Sequence, residues 1–134
     1  LNIKNYDRAD IILTGVSRSG KTPTCLFLAL QYGIFAANYP LIDEDLETIK
    51  LPTILQKNKN KLFGLSINPV RLQNIRDERR SNSGYASIDQ CRKEVKLAED
   101  MFVQNQVPFL DTSHTSIEEI AGRILNKSSI KRRY

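Results

Sequence analysis

Apolar residues fall along this chain in short runs and helical stripes that alternate. Ala9 to Leu13 is a compact apolar run that reads as a buried strand. Lys21 to Tyr32 (KTPTCLFLALQY) reads as a helix stopped by Gly33, with Pro23 in its first turn, where a missing N–H costs little. So much of this helix is apolar that burial on most sides is expected. Ile34 to Asn38 predicts a second strand closed by Pro40, and Asp43-Glu44-Asp45 opens a short helical piece that ends near Leu51-Pro52. Gln56 to Lys61 (QKNKNK) reads as a polar, basic loop before a third strand, Leu62 to Ile67, whose near-continuous apolar run suits a parallel sheet buried on both faces.

Asn68-Pro69 is a helix start, with Asn as cap and Pro at the first helical position. Leu72 and Ile75 mark the buried stripe of that helix. Arg71, Arg76, Arg79 and Arg80 are left for solvent or a ligand, and Ser81-Asn82-Ser83-Gly84 follows as a mobile turn, so the segment reads as an arginine-bearing lid. Ile88, Cys91, Val95, Ala98 and Phe102 lie three or four apart and predict a packed helix over about 87–105. Val107 to Leu110 is the last strand. Ser116-Ile117-Glu118-Glu119 is a capping box that opens a final helix with a core stripe of Ile117, Ile120, Ala121, Ile124 and Leu125.

Strands alternating with helices predict an α/β fold: a three-layer αβα domain with a mainly parallel sheet. Residues 9–126 form that domain, 1–8 a polar lead-in and 127–134 a basic tail. In such a sheet ligands sit at the carboxyl ends of the strands, which gathers the loops after each strand into one crevice.

The chemistry enters with the loop after the first strand. Gly15-Val16-Ser17-Arg18-Ser19-Gly20-Lys21-Thr22 fits G-x-x-x-x-G-K-[ST], the phosphate-binding loop, between a strand and a helix as the motif requires. Glycines let backbone N–H groups face phosphate oxygens, Lys21 reaches the terminal phosphates, and the Thr22 hydroxyl suits magnesium. Arg18 either adds charge to a phosphate or points outward to a partner.

Length and composition change this picture little. A chain of 134 residues with 40% hydrophobic residues suits one domain with a real core. The longest apolar run, Cys25 to Leu30, is far below the roughly 20 residues of a spanning helix, and no basic-then-apolar leader opens the chain, so the expected location is the cytoplasm, away from membranes. Cys25 and Cys91 lie within helices, which favours small buried apolar roles over a disulfide or zinc site. The chain starts at Leu1 and its only methionine is Met101, which predicts a piece of a longer product. Lys127, Lys131, Arg132 and Arg133 supply most of the formal charge of +5, so the folded part is nearly neutral and nucleic acid is not an expected partner.

A resemblance sharpens the reading. GVSRSGKTPTCLFLA, AANYPLIDEDL, KLFGLSINPVRLQNIRDERR, SGYASIDQCRKEV and VPFLDTSHTSIEEIA, in that order, closely resemble the regulatory proteins of pyruvate, phosphate dikinase and phosphoenolpyruvate synthase, over about 9–125. The resemblance implies a bifunctional enzyme: an ADP-dependent serine/threonine kinase that inactivates the dikinase or synthase, and a phosphate-dependent pyrophosphorylase that restores it. ADP (or ATP), magnesium and inorganic phosphate would be its cofactors and co-substrates. It also implies a separate domain ahead of the phosphate loop, absent from this chain. A homodimer is left open.

The lid and last strand are also similar to those of small-molecule P-loop kinases such as shikimate and cytidylate kinases. That similarity implies phosphate contacts for Arg76, Arg79 and Arg80, and a base-side wall made by Thr112, Ser113 and His114. One departure stands out: the acid expected at the end of a central strand is missing, because LFGLSIN ends in Asn68. Asp111 follows an apolar strand but falls on the base side. The search for a magnesium-orienting or basic carboxylate is left with Asp43 or Asp45 beside Glu44, and these acids serve equally well as helix N-terminal charges. Two alternative functions remain, a small-molecule kinase and a nucleotide-binding module inert without its upstream domain.

Overall fold

The first apolar run forms strand β1, Ile11–Gly15, buried at every position. It starts and ends two residues later than the sequence predicts, because Asp10 is used just before the strand begins, where its carboxylate accepts the Phe35 N–H (2.8 Å). In the computed structural model, which describes residues 3–79 and 84–127, β1 lies between strands β2 (Ala36–Pro40) and β3 (Leu62–Ser66). Strand β4, Phe109–Asp111, adds beyond β3, and every pairing is parallel, in the order β2-β1-β3-β4. The chain leaves β1 to one side and returns on the other, so the loop after β1 sits where the sheet's connections diverge.

Side chains alternate across this sheet, and each face has its own core. Ile11 and Leu13 of β1 and Phe63 and Leu65 of β3 pack with Leu28, Ile120, Ala121 and Ile124, under helices α2 (Lys21–Tyr32) and α7 (Ile117–Lys127). Ile12 and Leu62 face the other way, toward Leu72 of α5 (Pro69–Arg79) and Cys91, Val95, Ala98 and Phe102 of α6 (Ile88–Gln104). This is the expected three-layer αβα arrangement. Gly64 is bare so that the Phe102 ring can lie on the strand: a Cβ there would meet ring carbons at 2.7–2.9 Å.

Helix boundaries follow their caps. Gly33 ends α2 in the left-handed region (φ 65°), its N–H turned back to the Ala29 carbonyl. Asn68 Oδ1 accepts the Val70 N–H (2.8 Å) to open α5, Ser87 Oγ accepts the Gln90 N–H (3.1 Å) for α6, and Ser116 Oγ accepts the Glu119 N–H (3.2 Å) for α7.

Four expectations need correction. The lead-in is not merely polar: Ile3–Arg8 forms helix α1, whose Tyr6 is buried against Tyr39 and donates to the Asn38 carbonyl (3.1 Å). The stretch Gln56 to Lys61, read as a basic loop, takes in the end of helix α4, Thr53–Lys57, and a 3-10 turn, Lys59–Lys61, because Leu55 just before it is drawn into the core and Lys61 reaches the Asp7 and Ala9 carbonyls (2.9 Å each) at the end of α1. Helix α2 is not buried on most sides: Leu26 and Leu30 are 59% and 68% exposed, since sheet and α7 cover only the Leu28 side. Arg76 is not a solvent-side lid residue but is fully buried. Arg80, Ser81, Asn82 and Ser83, and residues 128–134 of the basic tail, lie outside the described residues.

Candidate active site

The loop Gly15 to Thr22 joins β1 to α2, and its backbone conformation explains its glycines. A side chain at Gly15 would run into the Leu65 carbonyl of β3. Arg18 (φ 71°) and Gly20 (φ 98°) are both left-handed, the alternation that turns successive N–H groups to one side as an anion nest. Lys21 is only 4% exposed; its ammonium donates to the Val16 carbonyl (2.5 Å) and the Ser19 hydroxyl (3.3 Å), bending back over the loop. Burial lowers its pKa to about 8, helped by the positive charges of Arg76 and Arg18 and opposed by the Cys25 thiol. Burial also pushes the Cys25 thiol up to about 12, which keeps it a neutral packing group.

Two cavities open on this loop. The larger, about 390 Å3, is lined by Ser17, Arg18, Lys21, Thr22, Asn38 and Arg79, with Pro40 and Ile75 at its side. The smaller, about 200 Å3, lies toward β4, where Pro23, Ile67, Ile75, Ile117 and Ile120 make apolar walls and Arg71, Thr112 and Thr115 add polar edges. Arg18 borders both, so it stands at their junction rather than out toward solvent alone. A charged, loop-lined cleft beside an apolar pocket suits a ligand with a phosphate end and a flat apolar end, as a nucleotide has.

The lid arginines separate. Arg79, exposed at the end of α5, reaches the larger cleft. Arg76 points inward and holds Glu94 of α6 through both terminal nitrogens (2.9 and 3.1 Å), while donating to the Ser17 carbonyl of the loop (3.1 Å). The base-side trio separates as well. Thr112 Oγ1 bonds the Ser19 and Ser66 carbonyls (3.2 and 3.0 Å) and edges the smaller pocket. Ser113 is buried, accepting the Asn68 N–H (2.7 Å) and donating to Asp111 (2.5 Å), and His114 is exposed. Asp43 and Glu44 are exposed on helix α3, Asp43–Thr48, and the Asp45 carboxylate accepts the Ile42 N–H (3.1 Å), a helix-capping bond. None of the three lines either cavity.

A family model described as Kinase/pyrophosphorylase matches residues 1–125. The chain belongs to the kinase/pyrophosphorylase family. It is 59% identical over 132 residues to a protein of Pseudoalteromonas translucida, covering 98% of this chain and 49% of the relative. It is 60% identical over 131 residues to one of Neisseria gonorrhoeae (98% and 48%), and 58% over 134 residues to one of Laribacter hongkongensis (100% and 49%). All three carry the provisional name phosphoenolpyruvate synthase regulatory protein. The chain spans about half the length of the curated relatives it matches.

For a kinase/pyrophosphorylase the geometry offers the Thr22 hydroxyl for magnesium. Thr22 is exposed at the start of α2, and its hydroxyl oxygen is met by the amide of Asn38 (2.8 Å) from the neighbouring strand β2. The other end of that amide, Oδ1, is buried with no partner among the described residues. The exposed Thr22 hydroxyl at the cleft fits a hydrated divalent cation carried in by phosphates, which keeps most of its water and takes few protein ligands. Among the described residues no helix is long and apolar enough to cross a membrane.

Asn38 and Glu94 were missed from the sequence. Asn38 is a polar residue ending an apolar run, IFAAN, in the strand beside the phosphate loop. Glu94 interrupts the apolar stripe of its helix between Cys91 and Val95. Both interruptions were visible signals.

Proposed function

We propose that this chain is the nucleotide-binding, phosphate-transferring part of a cytoplasmic bifunctional regulator of phosphoenolpyruvate synthase or pyruvate, phosphate dikinase. In one direction it acts as an ADP-dependent serine/threonine kinase that inactivates the target; in the other, as a phosphate-dependent pyrophosphorylase that restores it. The observation that carries this reading is a phosphate loop with a buried Lys21, in a chain matched by the kinase/pyrophosphorylase model from residue 1 to 125. The names of the relatives support the synthase as target.

In the forward direction the threonine oxygen bonds to the terminal phosphorus of ADP in line with the bond that breaks, AMP leaves, and the threonine proton is released. Lys21 and the loop N–H groups stabilise the charge that develops on the phosphoryl oxygens, with Arg18 and Arg79 beside them. Magnesium, held by Thr22 with Asn38 near, would add neutralising charge there. Asp43 and Asp45, which follow Pro40 in the chain, are the candidates to take the acceptor proton. In reverse, inorganic phosphate in the same nest attacks the phosphothreonine, a P–O–P bond forms, and the threonine hydroxyl leaves with a proton as pyrophosphate is made.

The test is transfer of label from β-32P-ADP to purified phosphoenolpyruvate synthase, using this chain and the longer Laribacter relative in parallel. Labelled threonine and AMP in equal amounts are expected, and both vanish in Lys21→Ala. Labelling by the longer relative alone would reduce this chain to a nucleotide-binding module. Labelling of shikimate or a nucleoside monophosphate instead would establish the small-molecule kinase.

A further inference from the structure

Two carbonyls of the phosphate loop are gripped by side chains from elsewhere in the chain. Arg76 of α5 donates to the Ser17 carbonyl (3.1 Å), and the Thr112 hydroxyl, just after β4, donates to the Ser19 carbonyl (3.2 Å). Both grips are themselves anchored. Glu94 of α6 holds the guanidinium through its two terminal nitrogens (2.9 and 3.1 Å), and Gln90 holds the carboxylate (2.8 Å). Thr112 is tied to β3 by its own N–H, which donates to the Ser66 carbonyl (2.8 Å).

A trans peptide unit is planar, with its carbonyl and its N–H pointing in opposite directions. The Ser17 carbonyl shares its unit with the Arg18 N–H, and the Ser19 carbonyl shares one with the Gly20 N–H. Arg76 is fully buried and lines neither cavity, whereas Ser17 and Arg18 line the larger cleft, so the Arg18 N–H is turned from the buried guanidinium toward the cleft side of the loop. Thr112 borders the smaller pocket alone and Gly20 borders both, so the Gly20 N–H is turned away from Thr112 in the same sense. These are also the two left-handed residues, Arg18 (φ 71°) and Gly20 (φ 98°). That conformation is unfavourable for an arginine and persists only where the surroundings impose it.

We propose that Arg76 and Thr112 are positioning residues that preset the anion nest: by drawing the Ser17 and Ser19 carbonyls outward, they aim the Arg18 and Gly20 N–H groups at a phosphate before it arrives. Arg76 then serves the phosphate through the loop, not by the direct contact that the lid resemblance implies, and Thr112 serves the phosphate end rather than the base. The proposal rests on the reading of the cleft as a nucleotide phosphate site. A nest set in advance needs no reordering when the anion binds, so its loss weakens any polyphosphate, with or without a base attached.

The test is calorimetric titration of the chain with ADP and with pyrophosphate, without metal and without a protein substrate. Arg76→Met combined with Glu94→Gln removes one positive and one negative charge, so net charge is unchanged while the grip on Ser17 is lost. Both ligands should bind about tenfold more weakly, the scale of one hydrogen bond to a charged group. Thr112→Val should weaken both to a similar extent, and Thr112→Ser, which keeps the hydroxyl, should restore them. Ile124→Ala, a destabilising truncation away from the loop, should leave both affinities within about twofold. Unaltered binding in the Arg76 pair and in Thr112→Val overturns the proposal while the nucleotide reading stands. A loss in Thr112→Val confined to ADP overturns that residue's part and leaves it a base-side wall. A loss in Ile124→Ala as large as in the Arg76 pair reads general destabilisation and overturns the positioning role. Failure of the unaltered chain to bind either ligand overturns the nucleotide reading, and the proposal with it.

Discussion

Arg76 and Glu94 form a buried two-point ion pair between α5 and α6, and the same guanidinium grips the Ser17 carbonyl of the phosphate loop. Gln90 donates to the second Glu94 oxygen (2.8 Å), so the carboxylate is met from two helices. The pair therefore joins the helix bearing Arg79 to the loop. Removing one partner leaves a charge buried and unmatched. Arg76→Met and Glu94→Gln should each lower unfolding free energy by about 3–5 kcal/mol, read from denaturant midpoints. Together the two changes should cost less than the sum of the single effects, because the stranded charge is gone.

Lys21 gives a pH prediction whose sign follows from its environment. Burial and the charges of Arg76 and Arg18 bring the free lysine's pKa to about 8, and a bound polyphosphate must raise it again. Affinity for ADP should therefore hold steady below about pH 7 and fall as pH rises through 8, approaching tenfold per pH unit while binding takes up one proton. An unperturbed lysine would show no fall until near its ordinary value of about 10.4. Lys21→Ala should abolish the slope together with most of the affinity. Because Arg76 is one of the lowering charges, Arg76→Met should move the onset to higher pH. Calorimetry across pH 6.5–9.5 reads both effects, at about half-unit steps, with the proton uptake as a check.

Much of this arrangement was legible in the sequence where local signals coincide. Helix α2 begins and ends as expected because Gly20 and Gly33 bracket it, and α5 because Asn68-Pro69 is both cap and first turn. Strand ends were less legible. Strands buried on both faces show no alternation, so nothing local told Ala9 from Gly15 as the limit of β1. Arg76 was misread because its charge was weighed and its position was not: it stands four residues after Leu72, on the buried stripe. Its partner is 18 positions away on another helix, a distance that no local pattern reports. The exposed side of α2 was invisible for a related reason. An apolar composition says that a helix can be buried all round, and only the arrangement of its neighbours says whether it is.

Two glycines should tolerate alanine poorly, for different reasons. At Gly64 the new methyl meets the edge of the Phe102 ring, a side chain that is fully buried and can move only by disturbing the face it packs on. Overpacking of this sort costs about 1–3 kcal/mol. Gly64→Ala should lose that much in thermal or denaturant unfolding, and Phe102→Leu placed with it should recover part of the loss. At Gly15 the obstacle is the Leu65 carbonyl of β3, which no side-chain rotation removes. Gly15→Ala should damage ADP binding as well as stability, because the displaced backbone is the start of the phosphate loop.

Helix α2 offers a contrast within a single turn. Leu28 is fully buried between the sheet and α7, whereas Leu26 and Leu30 stand mostly in solvent on the same helix. Truncating Leu28 opens a cavity in the core it shares with Leu13, Phe63 and Ile124, so Leu28→Ala should cost about 2–5 kcal/mol. Leu30→Ala removes little buried area and substitutes the best helix former, so the change should stay within about 0.5 kcal/mol. If burial on most sides governed this helix, the two alanine variants would lose stability alike. Denaturant midpoints measured side by side on the isolated chain distinguish the two cases, and a loss at Leu30 equal to that at Leu28 would contradict the exposed face described above.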